Sequence, residues 1–320
     1  MLRTTTALIF LALAAGPAAA QSDYPARPVR IVVPSPPGGG TDIIARVLAQ
    51  YLSKTMSQQF FVENRPGAGN MIGIESVARA APDGYTLLFA PSTLALNSVL
   101  YKKVSYDPVR DFAPITIAAT TANVLIVNPG LPVKSLSDLI ALAKRQPGEL
   151  TYGTPGIGTS PHMSMELFKS MAGIDLRHIP YRGTAPAVTD VITGQIAATF
   201  ANALTAKPQV DAAKVRALAV SGPKRIAALP DIPPVAEAGV PGYAAVQWYA
   251  LLAPAGTPAE IIPRLHAEAT QALKTAEMQE KLAADGAEPV GSTPDELAAL
   301  IRNELDKWNK VARAANIEPQ

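Results

Sequence analysis

Short β-rich runs alternate with helical patterns along most of the chain, and this alternation constrains the fold more than any other feature. Residues 29–34, 60–63 and 85–90 are rich in Val, Leu, Ile, Phe and Tyr, a composition that favours strands. Between them, 41–53 and 71–81 carry apolar residues at helical spacing. Strands that alternate with helices in this way form open parallel sheets. The sequence therefore predicts an α/β protein.

The middle of the chain contains a second alternating series. Two extended segments, 115–119 and 124–128, lead into it, and Ser135 is predicted to cap a helix over 136–145. Helices separate the further predicted strands, which are 150–153, 176–181, 197–201 and 215–220. This second series indicates a second α/β unit.

The length of the chain indicates two lobes rather than one core. It has 320 residues, and single hydrophobic cores stop growing beyond about 250–300 residues. No low-complexity linker separates the two series, so the lobes are predicted to be joined by extended strands. The predicted first lobe comprises 21–123 and 238–320, and the second, inserted lobe comprises 124–237.

The N-terminus is typical of a secretory signal peptide over residues 1–20. Arg3 supplies a positive start, 7–15 are apolar, and Ala18, Ala19 and Ala20 give the small-residue pattern that signal peptidase reads. The apolar run is shorter than the roughly 20 residues that span a bilayer. We therefore expect cleavage before Gln21 and a periplasmic location.

The composition excludes several classes of chemistry. The chain has no cysteine and three histidines, which are His162, His178 and His266. It contains neither a His-Glu-x-x-His motif nor a cysteine pair for zinc, so we predict no metal and no cofactor. The formal net charge is +2, and the sequence contains no block of basic residues. We therefore predict no nucleic-acid partner.

The most distinctive local feature is a glycine-rich loop, 34–42, between a predicted strand and a predicted helix. Glycines let the backbone approach a ligand, and the following helix N-terminus offers free N–H groups. A phosphate-binding P-loop is excluded because Gly-Lys-Ser/Thr is missing. The alternative is a plain tight turn. The candidate ligand-binding residues here are Ser35, Pro37, Gly38, Gly39, Gly40, Thr41 and Asp42.

A second loop of the same type, 153–161, also follows a strand and opens a helix. Pro161 suits the first helical turn, and it stands where a dinucleotide fingerprint needs its third glycine, so a nucleotide site is not predicted. His162 has two possible roles, a bond to a ligand directly or through water, or a tie between its own loop and a neighbour. The candidate residues are Gly156, Gly158, Thr159, Ser160 and His162.

One such loop in each lobe suits the capture of an anion. A carboxylate between two helix N-termini accepts charge-assisted hydrogen bonds from both, and closure of the lobes buries it. We therefore predict a non-catalytic solute-binding protein for a small organic carboxylate. The alternative is a secreted hydrolase that acts on a carboxylate ester or amide, although no Gly-x-Ser-x-Gly elbow is present.

An ordered set of motifs resembles a known family over residues 24–318. The motifs are PSPPGGGTDIIAR, VENRPGAGNMIG, AAPDGYTLLFA, HIPYRGTAPAVTDVITGQ, RALAVSG, LPDIPPVAEAGVPGY and WYALLAPAGTP. Together they resemble the Bug-type extracytoplasmic receptors, the substrate-binding components of tripartite tricarboxylate transporters. The resemblance implies a class II periplasmic binding-protein fold with two Rossmann-like lobes and a cleft. It also implies that the loops 37–42 and 156–162 hold a carboxylate, and that Ser92 and Thr93 line the cleft.

Two positions depart from the commoner pattern of the family. Its members often carry Phe-Asp-Asn where this chain has Phe200, Ala201 and Asn202, and an aromatic residue where it has Ser35. Without the acidic group near a ligand amine, we expect a ligand that lacks an ammonium group, a di- or tricarboxylate or an aromatic acid. The expected partner besides this ligand is a membrane permease of the tripartite type, if the receptor is not an orphan, and we expect a monomer.

Overall fold

The structure, a computed structural model, describes residues 24–38, 40–181, 183–284, 286–314 and 317–319. The predicted signal peptide, 1–20, and the candidate residue Gly39 lie outside the described residues. Within the described residues, no helix has both the length and the apolar character needed to cross a membrane.

The first part of the chain forms alternating strands and helices, as predicted. Its elements are β1 (Val29–Val33), α1 (Gly40–Thr55), β2 (Phe60–Asn64), α2 (Met71–Ala78), β3 (Thr86–Pro91) and α3 (Thr93–Leu100). Helix α3 was not predicted. Six of its eight residues are buried, so its sequence shows no polar face and no amphipathic period.

The middle part gives the second α/β unit. It comprises β4 (Phe112–Val127), α4 (Leu136–Arg145), β5 (Thr151–Thr154), α5 (Ser160–Ala172), β6 (Arg177–Pro180), α6 (Thr184–Thr193), β7 (Ala198–Asn202), α7 (Ala203–Asp211) and β8 (Arg216–Val220). The two predicted segments 115–119 and 124–128 are one continuous strand, β4. Ser135 caps α4 as predicted, in a capping box with Asp138. Helix α7 was missed because it contains Pro208.

The last part returns to the first sheet. It comprises β9 (Val246–Pro254), α8 (Ile261–Ala272), α9 (Ala276–Ala284), β10 (Ala287–Pro289) and α10 (Pro294–Ala314). Strand β10 has three residues and was not predicted. The strand order is β2-β1-β3-β9-β4-β7-β5-β6, and β10 and β8 also pair with β4.

Strand β4 passes from one lobe into the other. Residues 112–122 of β4 pair with β9 in the first sheet, and 123–127 pair with β7 and β8 in the second. Helix α10 crosses as well, since Leu297 and Ile301 pack in the first lobe and Trp308 packs in the second. Strand β4 and helix α10 thus both connect the lobes.

The core of the second lobe also takes in residues that follow β8. Val240, Tyr243 and Ala245 pack in the same apolar cluster as Leu125 and Phe168. These contacts favour a division of the lobes close to Ala245 rather than at residue 238. The division itself stays a prediction.

A buried serine joins the two crossing points of the chain. The hydroxyl of Ser221 is fully buried, accepts the backbone N–H of Asn123 at 2.8 Å and donates to the carbonyl of Ala245 at 2.6 Å. Its backbone repeats the link, because Ser221 N–H donates to Asn123 O and Ser221 O accepts from Ala245 N–H. The Ser221 side chain therefore links β4 to the segment that leads into β9.

Ser221→Ala is expected to lower the free energy of unfolding by about 1–3 kcal/mol, because a buried N–H and a buried C=O lose their partner. Urea unfolding monitored by circular dichroism measures this loss. The control is Thr189→Ala, which removes an exposed hydroxyl and should change stability by less than about 0.5 kcal/mol. Equal effects in the two variants would show that the Ser221 hydroxyl does not support the crossing.

Candidate ligand-binding site

The strand directions make the two sheets face each other across a cleft. Strands β3 and β4 are both antiparallel to β9, so β1 and β3 end on the side toward the second lobe. Strand β7 is antiparallel to β4, with Asn202 opposite Asn123, and β5 and β6 run parallel to β7. They therefore end on the side toward the first lobe. Both glycine-rich loops lie at these facing edges.

Helices α3 and α5 both begin at the cleft without a side-chain cap. Ser92 precedes α3 and Thr159 precedes α5, and neither side chain accepts a bond from its helix. Away from these positions, Ser135 caps α4 and Asn202 caps α7 through Thr205 N–H. An uncapped N-terminus keeps free N–H groups and partial positive charge, so α3 and α5 can both offer donors to an anion.

The first glycine-rich loop presents an unpartnered hydroxyl. Ser35 follows β1, and its Oγ is buried without a hydrogen-bond partner among the described residues. Its carbonyl oxygen accepts from Asn64 Nδ2 at 3.0 Å, which fixes the backbone but leaves the hydroxyl unused. Pro37 and Gly38 are exposed, and Gly38 has a φ of 87°. The loop thus combines a fixed backbone with a free donor.

Asp42 clamps this loop. Its side chain is 3 % exposed and accepts bonds from Gly38 N–H at 2.9 Å, Arg46 Nε at 3.0 Å and Asn64 Nδ2 at 2.9 Å. Burial raises the pKa of the Asp42 carboxyl, but the hydrogen bonds from Arg46, Gly38 and Asn64 outweigh burial and hold the pKa below its ordinary value. The carboxylate is therefore occupied in shaping the loop. Gly40 and Thr41 begin α1 beside it.

A glycine of α2 supports the same loop from behind. A β-carbon on Gly73 would lie 2.7 Å from the Cα of Pro34 and 2.7 Å from the carbonyl oxygen of Arg65. Only a residue without a side chain fits there. Helix α2 therefore packs directly on the backbone that carries Ser35.

The third cleft segment follows β3. Ser92 is 3 % exposed, and Thr93 Oγ1 accepts from Asn70 Nδ2 at 2.9 Å. Asn70 comes from the loop after β2, and Asn97 Nδ2 donates to Gly69 O in the same loop. The segments after β2 and β3 are thus joined. Asn70 was not predicted as a site residue, although it belongs to the motif VENRPGAGNMIG.

The second glycine-rich loop is held by its own side chains. Thr159 Oγ1 donates to Gly156 O at 2.8 Å, and Thr154 Oγ1 accepts from Gly156 N–H at 3.3 Å. Gly156 and Gly158 have φ values of 140° and 77°, which favour glycine. A β-carbon on Gly158 would lie 2.6 Å from Leu100 Cδ1, so this loop of the second lobe reaches α3 of the first.

His162 lies under the second loop rather than at its surface. The residue is 4 % exposed, and its Nδ1 accepts from Gly158 N–H at 3.2 Å. This contact lies within the loop and its helix, and the choice between the two predicted roles of His162 stays a prediction. His178 belongs to β6, and His266 Nε2 contacts Ser292 O in the first lobe.

Asn123 is a polar residue of the crossing that sequence reasoning missed. Its Nδ2 donates to Ser160 Oγ at 2.9 Å and Ser164 Oγ at 3.3 Å, so it connects β4 with the N-terminus of α5. The only signal for it is a buried polar residue within the apolar run 122–127.

The two residues after Phe200 do not offer free side chains. Ala201 is fully buried in an apolar cluster that also contains Val124, Val188 and Val220. Asn202 Oδ1 accepts from Thr205 N–H at 2.8 Å as the cap of α7. The structure therefore places the first side chain in the core and the second on a helix end.

The described residues contain no cluster of His, Asp or Glu that could hold a metal ion. Among the described residues, the cleft offers glycine backbone, hydroxyls and the N-termini of α3 and α5. Two α/β lobes with such a cleft between them define a two-lobed solute-binding protein.

The chain belongs to the tripartite tricarboxylate transporter receptors, because the model of the family described as "Tripartite tricarboxylate transporter family receptor" matches residues 44–317. The predicted resemblance is confirmed. Protein BugT of Bordetella pertussis is 39% identical over 308 residues, which cover 95% of this chain and 94% of BugT.

Two solved structures from Rhodopseudomonas palustris have the same fold. Rpa4515 with adipate is 38% identical, with a TM-score of 0.79, and covers 93% of this chain and 100% of that one. MatC with bound malate is 32% identical, with a TM-score of 0.74, and covers 90% of this chain and 99% of that one. These neighbours support the receptor role.

Proposed function

We propose that this receptor captures a small organic carboxylate between its lobes and performs no catalysis. The observation that supports the proposal is that the N-termini of α3 and α5 have no side-chain cap, and the buried hydroxyl of Ser35 adds a donor without a partner among the described residues. A carboxylate accepts from all of these donors, and each charge-assisted bond contributes about 1.5–3 kcal/mol. The ligand contacts proposed are those predicted from the sequence in the loops 35–42, 92–93 and 156–160, whereas His162 is buried and acts through Gly158.

The proposed ligand class is a dicarboxylate or tricarboxylate, or an aromatic acid, without an ammonium group. Two relatives with related sequences are described with adipate and with malate, which are dicarboxylates. Asp42, the acidic residue of the first loop, already accepts from Arg46 and Asn64.

The proposed cellular role follows from the family. Residues 1–20 would direct export and then be cleaved off. The mature chain would act in the periplasm as a monomer and deliver its ligand to a membrane permease of the tripartite type. Light scattering of the mature chain tests the monomer, and N-terminal sequencing of the exported protein tests cleavage before Gln21.

Thermal unfolding of the ligand-stripped protein tests the capture of a carboxylate. Adipate, malate, citrate, benzoate and aspartate are compared, since a ligand at 100 times its Kd adds about 2.7 kcal/mol of stability. We expect a raised Tm with at least one acid and none with aspartate. No shift with any acid, together with turnover of a carboxylate ester or amide, would favour the hydrolase alternative.

The variant Ser35→Ala tests whether the Ser35 hydroxyl contributes to ligand binding. It should weaken binding of the active acid by about tenfold or more, because a bond to a charged group is lost. Thr189→Ala, far along the chain on α6, is the matched hydroxyl control and should bind normally. Unchanged affinity in Ser35→Ala would remove this hydroxyl from the site.

A further inference from the structure

A stack of three aromatic rings lies beneath the second glycine-rich loop. The imidazoles of His162 on α5 and His178 on β6 are stacked, with centroids 4.4 Å apart and an interplanar angle of 29°. On its other side, His178 stacks on Tyr152 of β5, with centroids 4.9 Å apart and an angle of 20°. The two histidines therefore form one unit rather than two separate side chains.

Each imidazole holds one point of the loop above it. His162 Nδ1 accepts from Gly158 N–H at 3.2 Å, and His178 Nε2 lies 2.6 Å from Thr154 Oγ1. Thr154 Oγ1 in turn accepts from Gly156 N–H. The bond from Gly158 requires an Nδ1 without a proton, because a protonated imidazole has only donors.

We propose that His162 and His178 are positioning residues, and that they keep the loop 154–159 in its ligand-receiving shape only while Nδ1 of His162 carries no proton. Acid then releases the loop and lowers ligand affinity. The effect on ligand affinity rests on the proposed function, whereas the effect on the loop does not. Neither histidine is a ligand contact in this role.

The surrounding groups do not favour a charged imidazole. On α5, Glu166 accepts from Lys169 Nζ at 2.9 Å and from the hydroxyl of Tyr152, so its negative charge is already offset. Burial lowers the pKa of His162 to about 3, and His178 and Lys169 act in the same direction. Burial also lowers the pKa of His178, with Glu166 opposing and Lys169 adding to the effect.

The other elements packed against α5 supply few further charges. Tyr243 donates from its hydroxyl to Ser164 O, and β9 contributes Tyr249. Helix α10 brings Asp306, Lys307 and Lys310 to the groove along α5. Strands β4 and β7 and helix α3 contain no titratable residue.

The direction of the pH effect follows from these pKa values. In a released loop the imidazoles regain an ordinary pKa of about 6.5. A folded pKa below that value gives stability that is complete above about pH 6.5 and is lost as the pH falls toward the folded pKa. Between pH 7.5 and 5.5, each histidine that takes up a proton on release raises the opening constant about tenfold.

Amide hydrogen exchange of the ligand-free protein tests the loop directly. Peptides covering 154–163 are compared at pH 7.5 and 5.5 after correction for intrinsic exchange. We expect protection of this segment to fall about tenfold or more at pH 5.5. Equal protection at the two pH values would overturn the proposal.

Conservative variants separate titration from a merely structural role. His162→Asn keeps an acceptor near the position of Nδ1, and His178→Gln keeps a polar atom near Nε2, but neither titrates. The double variant should show the same protection at both pH values, whereas the control His266→Gln should keep the pH effect. A pH effect that persists in the double variant would contradict the proposal.

Two further measurements complete the test. If the double variant does not fold, ring-proton NMR of the wild type decides, because burial should make His162 and His178 titrate below pH 6.5. With adipate as the probe, affinity should fall about tenfold more at pH 5.5 in the wild type than in the double variant, which reports the protonation of adipate itself. Absence of adipate binding at both pH values would count against the proposed function, while the exchange experiment still decides the loop.

Discussion

Gly73→Ala is expected to destabilise the protein by about 1–3 kcal/mol and to weaken carboxylate binding at the same time. In a helix this substitution normally stabilises by about 1 kcal/mol, because alanine has the higher helix propensity. Here the added β-carbon would lie 2.7 Å from both Pro34 Cα and Arg65 O, which are backbone atoms that cannot rotate away. Helix α2 must move, or the first loop must, and overpacking of this kind has that cost.

The sign of the change makes the Gly73 experiment decisive. Urea unfolding gives the free energy of unfolding, and titration calorimetry gives the affinity for whichever acid raises the Tm. Thr189→Ala, at an exposed position of α6, is the control, with an expected change below about 0.5 kcal/mol. Stabilisation of Gly73→Ala, with normal affinity, would show that α2 does not support the loop that carries Ser35.

Much of the fold follows from the sequence because each lobe repeats one local pattern. Buried parallel strands form continuous apolar runs, and helices on their faces show a clear amphipathic period. Helix α3 was not predicted because it is buried on nearly every side. Helix α7 was not predicted because it contains Pro208. The join of two predicted segments into β4 escaped too, because a strand that changes partners at Asn123 carries no signal of its own.

The site could be located from the sequence more readily than its contacts. Glycine-rich loops between strands and helices point to the cleft edge, and the structure places both loops there. How the side chains around these loops are oriented depends on partners far along the chain. Asp42 accepts from Asn64, 22 residues away, and Asn123 donates to Ser160, 37 residues away. No local sequence pattern predicts such long-range pairs.

Ala201 shows how a motif position can be misleading without its surroundings. From the family pattern alone, an acidic residue at this position would offer a partner for a ligand amine. In this chain the side chain is fully buried among Val124, Val188 and Val220. A carboxylate at this position would be removed from water, and none of these residues could pair with its charge. Such burial of an unpaired charge has a large cost in free energy.

Ala201→Asp is therefore expected to destabilise the protein by about 4 kcal/mol at pH 7. A fully buried carboxyl has its pKa raised by about 3 units, and each unit corresponds to about 1.4 kcal/mol. Because the folded pKa is raised, the deficit relative to the wild type should be largest at neutral pH. It should shrink as the pH falls and the carboxyl is protonated.

Urea unfolding of both proteins at pH 7 and pH 4.5 measures this deficit and its change. Ala267→Asp, at an exposed position of α8, is the matched control and should lose less than about 0.5 kcal/mol at either pH. A stable Ala201→Asp variant that binds aspartate would contradict the expectation, because the side chain would then reach the cleft. In that case the alanine of the native chain would itself exclude ligands with an ammonium group, and ligand choice would depend on this one position.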